Sequence, residues 1–536
     1  MVALHNQAPL VYVPQVMSSS VRDIAKNVSI VGSATLLSRV FGFFRDLVVA
    51  YVLGAGPAAD AFYVAFKLPN MMRRLFAEGS MTMAFVPIFS RLREEEGDVA
   101  AFGMARSVLM WLLSILGVVT VLAIVFARPL TLAIAPGFTK DPVLFDHTVT
   151  LVRIIFPYII QISAVALCMG VLNSLGHFFA PAMATSELNT VLIVGALAAI
   201  VLKVDPSLAL AWSVLAGGLG QWFMQQPYIR RHGLRWRGPW SWRDKGVARM
   251  AKLMLPTTFG AAIYQLNIML STLLASFLPQ GSISYLYYAD RLVQFPLGLF
   301  GAAIGTVALP SLAKLAAAGQ IKEFTEALNS SMRLTAFICL PAAAGLFGLA
   351  TPMVAVLFGR GAFTPQAALA TSQALLAYGV GLPAFACVRP VVAAYFALGD
   401  TKTPVWVGAI CLVVNVGLGA ALMFPLAHSG LALASSISSW VNFLLLAKFL
   451  NRRLGNNWVR IGRTTWVSLG LSLIIGAASY ALSGHGAWSL VLIIPLAAVY
   501  MALAYVLHVE EAVMLGDFIG KRLSGKFFPK KSQPGS

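Results

Sequence analysis

Apolar runs long enough to cross a bilayer recur along the whole chain, and they set its class before any motif is considered. The stretches 108–126, 191–202, 405–424 and 488–506 are nearly uninterrupted apolar sequence, and roughly 20 helical residues span the hydrocarbon layer. Charged side chains make up 11% of the 536 residues, whereas a soluble domain carries about 25%. Too few remain to cover a water-facing surface, which excludes a soluble globular domain. Inside lipid each backbone donor and acceptor must be satisfied within the protein, so the runs are read as helices. The expected spans are 24–53, 58–91, 101–127, 148–173, 181–203, 207–229, 248–278, 283–314, 326–358, 367–398, 404–424, 430–450, 464–482 and 487–508. The fold class this implies is an all-α polytopic membrane protein of about fourteen transmembrane helices.

The formal net charge of +19 raises nucleic-acid binding, but the distribution of charge argues against it. Basic residues gather at alternate connections: Arg91 and Arg93; the run from Arg230 to Lys252; Lys314 and Lys322; Lys402; Arg452, Arg453, Arg460 and Arg463; and the tail from Lys521 to Lys531. The intervening connections, near 54–59, 278–282, 425–430 and 483–487, contain no Lys or Arg. This alternation is the positive-inside pattern, with both termini expected in the cytoplasm. Cys168, Cys339, Cys387 and Cys411 are scattered through apolar segments without metal-binding spacing and read as buried thiols. No P-loop, catalytic-histidine pattern or metal cluster is present in the sequence, so neither catalytic residues nor a metal or other cofactor are expected. Residues 1–20 resemble no cleaved signal peptide and are expected to be a disordered extension, with Met1 or Met17 as the start.

The chain also repeats itself. Val86-Pro87 with Arg91-Leu92 matches Leu309-Pro310 with Lys314-Leu315, and Leu175-Gly176 followed by Pro181 matches Leu398-Gly399 followed by Pro404, each at a separation of 223. A separation of 224 aligns Tyr63, Ala65, Lys67 and Leu68 with Tyr287, Ala289, Arg291 and Leu292. A common offset is the mark of an internal repeat. Six spans per repeat return the chain to the same side, so the expected halves are parallel six-helix lobes related by a pseudo-twofold axis along the membrane normal. The expected divisions are 1–20, the extension; 21–231, the first lobe; 232–247, a basic cytoplasmic loop; 248–452, the second lobe; 453–510, an appended helix pair; and 511–536, a basic cytoplasmic tail.

Functional information concentrates where charge interrupts apolar sequence. Arg39, Arg45 and Asp46 lie inside the first span, and the second carries Asp60, Lys67, Arg73, Arg74 and Glu78. Asp290 and Arg291 lie in the eighth. An ionised side chain at the bilayer centre costs about 2.5–3.5 kcal/mol on insertion scales, so four arginines facing lipid would cost on the order of 10 kcal/mol. They are expected to line protein or water instead. Pro69, followed by Asn70 and later by Gly79, is expected to bend or break the second helix, placing Arg73 and Arg74 near a restart whose free N–H groups favour an anion. A cavity lined by Arg39, Arg45, Arg73, Arg74 and Arg291 suits a phosphate, which guanidinium grips bidentately. For Asp46, Asp60, Glu78 and Asp290, a role as ion-pair partner and a role as gate both stand.

The blocks SRVFGFFRD (38–46), GAGPAADAFYVAFKLPNMMRRLFAEGS (54–80), AFVPIFS (84–90), FPY (156–158), LNSLGHFFAPA (172–182), YYADRLVQFP (287–296) and GDTKTPV (399–405) resemble the MurJ (MviN) lipid II flippase family. That family belongs to the wider superfamily of multidrug and polysaccharide exporters, and the likeness spans about residues 20–510. It implies a multi-pass protein of the bacterial inner membrane that moves lipid II, the undecaprenyl-diphosphate-linked muropeptide of peptidoglycan synthesis, to the outer leaflet. It implies cavity roles for Arg39, Arg45, Arg73, Arg74 and Arg291, with Asp60 and Asp290 as acidic partners or gates, and a lipid-tail groove formed by the last two spans. Membrane lipids and cell-wall synthesis proteins are the further partners it suggests, and nucleic acid is not one. An ion gradient or the membrane potential would drive transport, although no residue pattern names a coupling ion. An exporter of another lipid-linked oligosaccharide or of drugs, a membrane enzyme acting on polyprenyl phosphates, and a non-transporting scaffold for cell-wall synthesis are the alternative readings.

Overall fold

The computed structural model describes residues 32–33, 37–74, 80–298, 302–455, 462–486 and 488–523. The expected extension 1–20 and positions Glu78 and Gly79 lie outside the described residues. The first half contains α1 (37–53), α2 (Pro57–Arg73), α3 (Ser80–Glu96), α4 (Asp98–Val125), α5 (Ala127–Ile134), α6 (Pro142–Ile155), α7 (Tyr158–Ser174), α8 (Phe179–Leu202) and α9 (Pro206–Arg231). The second contains α10 (Lys245–Ser276), α11 (Ser282–Pro296), α12 (Ala302–Ala317), α13 (Ile321–Leu357), α14 (Pro365–Ala397) and α15 (Lys402–Leu454). After these come α16 (Arg463–Ala481), α17 (Trp488–Val491), α18 (Ile493–Val506) and α19 (Glu510–Leu523). No strand occurs among the described residues.

Each expected span falls on one or two of these helices, and eight described stretches are long and apolar enough to cross a membrane by length and composition. The departures have local causes. Pro157 divides the expected span 148–173 into α6 and α7, because proline supplies no amide hydrogen to the helix ladder. The spans expected at 404–424 and 430–450 run together in α15, broken only by the non-helical Ala427 (φ 49°, ψ −132°) two residues after Pro425. Asp141, Asp205 and Asp244 cap α6, α9 and α10 by accepting two backbone N–H groups each, and Thr364 caps α14 by accepting one. Such a cap contributes about 1 kcal/mol.

The repeat reappears in atomic detail. After α7, His177 N–H reaches the Leu172 carbonyl (2.8 Å) and Gly176 N–H that of Asn173 (3.1 Å). After α14, Asp400 N–H reaches Tyr395 (2.9 Å) and Gly399 N–H reaches Phe396 (3.0 Å). Gly176 and Gly399 take φ of 78° and 72°, the left-handed conformation this helix ending requires. Asp400 then accepts the N–H groups of Lys402 and Thr403 and pairs with Arg453 at 2.9 Å. The backbone bond from Thr403, with this ion pair, holds its carboxyl below the usual range.

Buried apolar side chains show how the halves meet. One core draws on both: Val49 and Val64 from the first, Tyr288, Leu346, Phe358 and Leu431 from the second. These positions lie toward the end where connections 54–59, 278–282 and 425–430 carry no Lys or Arg, although Arg128, Lys140, Lys203 and Arg360 also lie there; it is termed the uncharged end. Toward the opposite, charged end lie two further cores, the first of which also links the halves through α10. One joins α3, the start of α4 and the end of α7 to Met250 of α10; another joins Leu312, Phe324, Val391 and Leu450. A fourth packs α16, α18 and α19 on Phe337 of α13. Val118, Val121, Val125, Phe424 and Ile494 are exposed, as expected where lipid is the solvent.

Candidate functional site

The helices that enter the uncharged end, α1, α2 and α11, carry the ionisable side chains singled out above, which form layers along the interface between halves. The outermost layer is a seal. Asp60, 1% exposed, accepts hydrogen bonds from Gly281 N–H (2.6 Å), Ser284 N–H (2.8 Å) and Ser284 Oγ–H (2.7 Å). A carboxylate from one half thus caps the N-terminus of a helix in the other, where the dipole favours negative charge. Ala362 N–H donates to the Tyr51 carbonyl (2.8 Å), and Gln280 donates to Asp141 (2.8 Å). A Cβ on Gly54 would strike the Ala362 backbone, so glycine permits the closest approach here.

Beneath the seal, Tyr63 and Tyr287 stack with ring centroids 3.8 Å apart, and Tyr63 Oη bonds Tyr288 Oη at 3.0 Å. Tyr63 and Tyr287 are the repeat-related pair, and equivalent residues touch only where a twofold axis passes between them. Tyr288 in turn donates to the Gly54 carbonyl (3.1 Å), which ties this layer to the seal.

The next layer holds charge. Asp46, 3% exposed, pairs with Arg45 at 2.6 Å, lies 3.4 Å from Arg291 and accepts from Tyr287 Oη at 3.1 Å. Arg45 also donates to Asn189 Oδ1 (3.0 Å), and Arg291 lies over the Tyr287 ring, 4.8 Å from its centroid. One carboxylate is shared between two guanidinium groups, so this layer keeps a positive excess. Toward the charged end come Lys67, which donates to Thr272 Oγ1 across the interface, and Asp290, which interacts with Lys67, Arg74 and Arg291. Arg73 donates to Asn70 Oδ1 through Nε (3.1 Å) and Nη2 (2.9 Å), and Arg74 bonds Tyr264.

Arg39 completes the series and is exposed, with no hydrogen bond or ion pair among the described residues. Its guanidinium occupies the space that a Cβ on Gly298 would fill. Gly298→Ala is therefore expected to displace it and to impair growth of a strain that depends on this chain to the same extent as Arg39→Ala. On the other side of the same segment, Arg389 of α14 donates to the Leu297 carbonyl at 3.2 Å and is otherwise exposed. Arg389 is absent from the sequence-derived set, although its place between Cys387 and Pro390 in an apolar span carries the same insertion cost. Asn189 and Tyr287 also went unselected, because neutral polar side chains carry no comparable penalty.

One expectation is corrected. The helix does not break at Pro69: α2 runs through Pro69 and Asn70 to Arg73, and Arg74 N–H bonds the Asn70 and Met71 carbonyls. Arg73 and Arg74 therefore lie in continuous hydrogen-bonded helix and not at a restart with free N–H groups. Asp60, for which a partner role and a gate role both stood, takes its three hydrogen bonds from the start of α11 and forms no ion pair among the described residues. Asp290 forms no close ion pair with Arg291 and instead accepts weakly from Gln294 (3.4 Å).

Comparison with known proteins agrees with this architecture. The family model described as lipid II flippase MurJ matches residues 49–498. A Rhizobium meliloti protein named probable lipid II flippase MurJ is 40% identical over 432 residues, 79% of this chain and 80% of that one. A Burkholderia cenocepacia protein named lipid II flippase MurJ is 38% identical, covering 79% and 83%. A solved structure described as lipid II flippase MurJ in an inward closed conformation superposes with a TM-score of 0.77 at 27% identity, over 89% of this chain and 98% of that one. An inward-facing multidrug resistance MATE transporter of the MOP superfamily shares the fold alone, with a TM-score of 0.66 at 12% identity.

Proposed function

The chain belongs to the MurJ lipid II flippase family, and on that premise we propose that it carries the headgroup of lipid II from the inner to the outer leaflet of the bacterial cytoplasmic membrane. The observation that supports this most is the placement of Arg39, Arg73, Arg74 and Arg389 on the charged-end side of a sealed tyrosine layer. Those guanidinium groups come from both halves, so a diphosphate between them touches both and links anion binding to the relative position of the lobes. Its two phosphates suit planar donors that bond bidentately. The polyprenyl tail stays in lipid, and the last two spans supply its groove.

The charged end is read as cytoplasmic, with both termini there, and the sealed end as periplasmic. In the described state the periplasmic end is then sealed. Transport requires the Asp60 cap, the Tyr51–Ala362 bond and the tyrosine stack to part while the charged end closes. Net drive comes from an ion gradient or the membrane potential. Lipid II is the substrate, and cell-wall synthesis proteins are further partners in this reading.

A crosslink tests the alternation. In Tyr51→Cys/Ala362→Cys, two backbones joined by a hydrogen bond carry the thiols, and formation of the disulfide is read first by non-reducing electrophoresis. Oxidation is expected to stop flipping in reconstituted vesicles, and reductant to restore it. Undiminished flipping by fully crosslinked protein would remove the opening of this end from the mechanism.

A further inference from the structure

The connection between the two halves, residues 232–247, is folded against the first half, not strung loosely between the lobes. Arg106 of α4 donates to the carbonyls of Arg235 (2.9 Å) and Pro239 (3.0 Å). Ser241 N–H reaches Ser107 Oγ (2.9 Å), and Trp111 Nε1 reaches the Trp242 carbonyl (3.2 Å). Gly238 takes a φ of 151°, and a Cβ there would strike the Arg106 guanidinium. The loop's backbone is therefore built around that side chain.

These contacts fix the loop's depth. Ser107 and Trp111 flank the start of the apolar run 108–126, so the bonded segment lies at the membrane boundary and not out in the cytosol. Trp240 and Trp242 pack edge to face on each other, at 4.9 Å, and stay 40% and 47% exposed. Arg235, Arg237 and Arg243 are exposed and have no ion-pair partner among the described residues. Arg106, by contrast, spends its donors on the loop carbonyls. Indoles prefer the headgroup level, and arginines there attract anionic lipid.

We propose that residues 235–243 form a binding site for the phosphodiester headgroup of an anionic phospholipid in the leaflet at the charged end. Positive charge kept only for topology needs no folded loop, since orientation depends on the number of Lys and Arg and not on their arrangement. Here four hydrogen bonds and the close contact at Gly238 fix the backbone that carries three exposed arginines and two indoles. The site is separate from the central cavity and does not depend on what that cavity transports.

Native mass spectrometry of the purified full chain, titrated with phosphatidylglycerol or with phosphatidylcholine of the same acyl chains, provides the test. The protein is expected to retain phosphatidylglycerol preferentially, and Arg235→Gln/Arg237→Gln/Arg243→Gln to weaken that binding about tenfold or more. Lys314→Gln/Lys322→Gln, which removes charge from the same end elsewhere, should leave it unchanged. No preference for phosphatidylglycerol, or equal loss in both variants, would overturn the site. A reading that needs no arginine variant is quenching of indole fluorescence by brominated phosphatidylglycerol, expected to fall in Trp240→Phe/Trp242→Phe; quenching that is identical in this variant also overturns it.

Discussion

Arg39→Ala is expected to weaken lipid II binding by about ten- to a hundredfold, the loss of one or two hydrogen bonds to a charged group at about 1.5–3 kcal/mol. The same change should leave thermal unfolding within about 0.5 kcal/mol of the parent, as for substitutions outside the packed core. The asymmetry follows from geometry. Arg39 has no ion-pair partner among the described residues and rests against the backbone at Gly298, so the folded protein loses little when it goes. Arg39→Lys should recover only part of the binding, because an ammonium group cannot reproduce the planar fork of donors. Titration of labelled lipid II against the purified protein, beside a melting curve, separates the two effects. A variant that melts early and binds normally would assign Arg39 to structure.

Asp46→Ala should behave in the opposite way. Its carboxylate, 3% exposed, is shared by Arg45 and Arg291 and accepts from Tyr287. Removing it leaves Arg45 without its counter-charge in a buried layer and Arg291 with Asp290 alone, a change that costs about 3–5 kcal/mol for a buried pair. The melting transition is expected to drop markedly. Binding of the diphosphate should hold or strengthen in protein that remains folded, because the released guanidinium groups turn toward the anion. Asp46→Asn keeps the shape of the side chain and should fall between the two. A strong loss of lipid II binding in folded Asp46→Asn would mean that the carboxylate orients the arginines for substrate and does not compete with it.

Apolar length and the alternation of Lys and Arg sufficed for the helical spans, because bilayer thickness and backbone satisfaction leave little freedom. The repeat was legible from separations of 223 and 224, and it reappears in the matched glycine endings at Gly176 and Gly399 and in the stacking of Tyr63 on Tyr287. Insertion cost singled out Arg39, Arg45, Arg73, Arg74 and Arg291, but it cannot tell a charge neutralised by a neighbour from one facing an open space. That distinction depends on contacts across the interface. Asp46 meets Arg291 from 245 positions away, and Asp60 caps a helix more than two hundred residues downstream. Pro69 misled for a local reason: proline removes one donor, yet the flanking helix can continue past a single missing bond. Arg389 was readable in principle by the same cost that selected the others.

In the proposed function these guanidinium groups carry a lipid-linked diphosphate across the membrane by alternating exposure. It is tested most directly in cells whose only flippase is this chain, by measuring how much labelled lipid II is accessible on the outer leaflet after acute inactivation of the protein. Exposure should collapse while the precursor accumulates on the inner leaflet, and Arg39→Ala should show the same collapse without inactivation. Outer-leaflet exposure that persists undiminished in both cases would contradict the account.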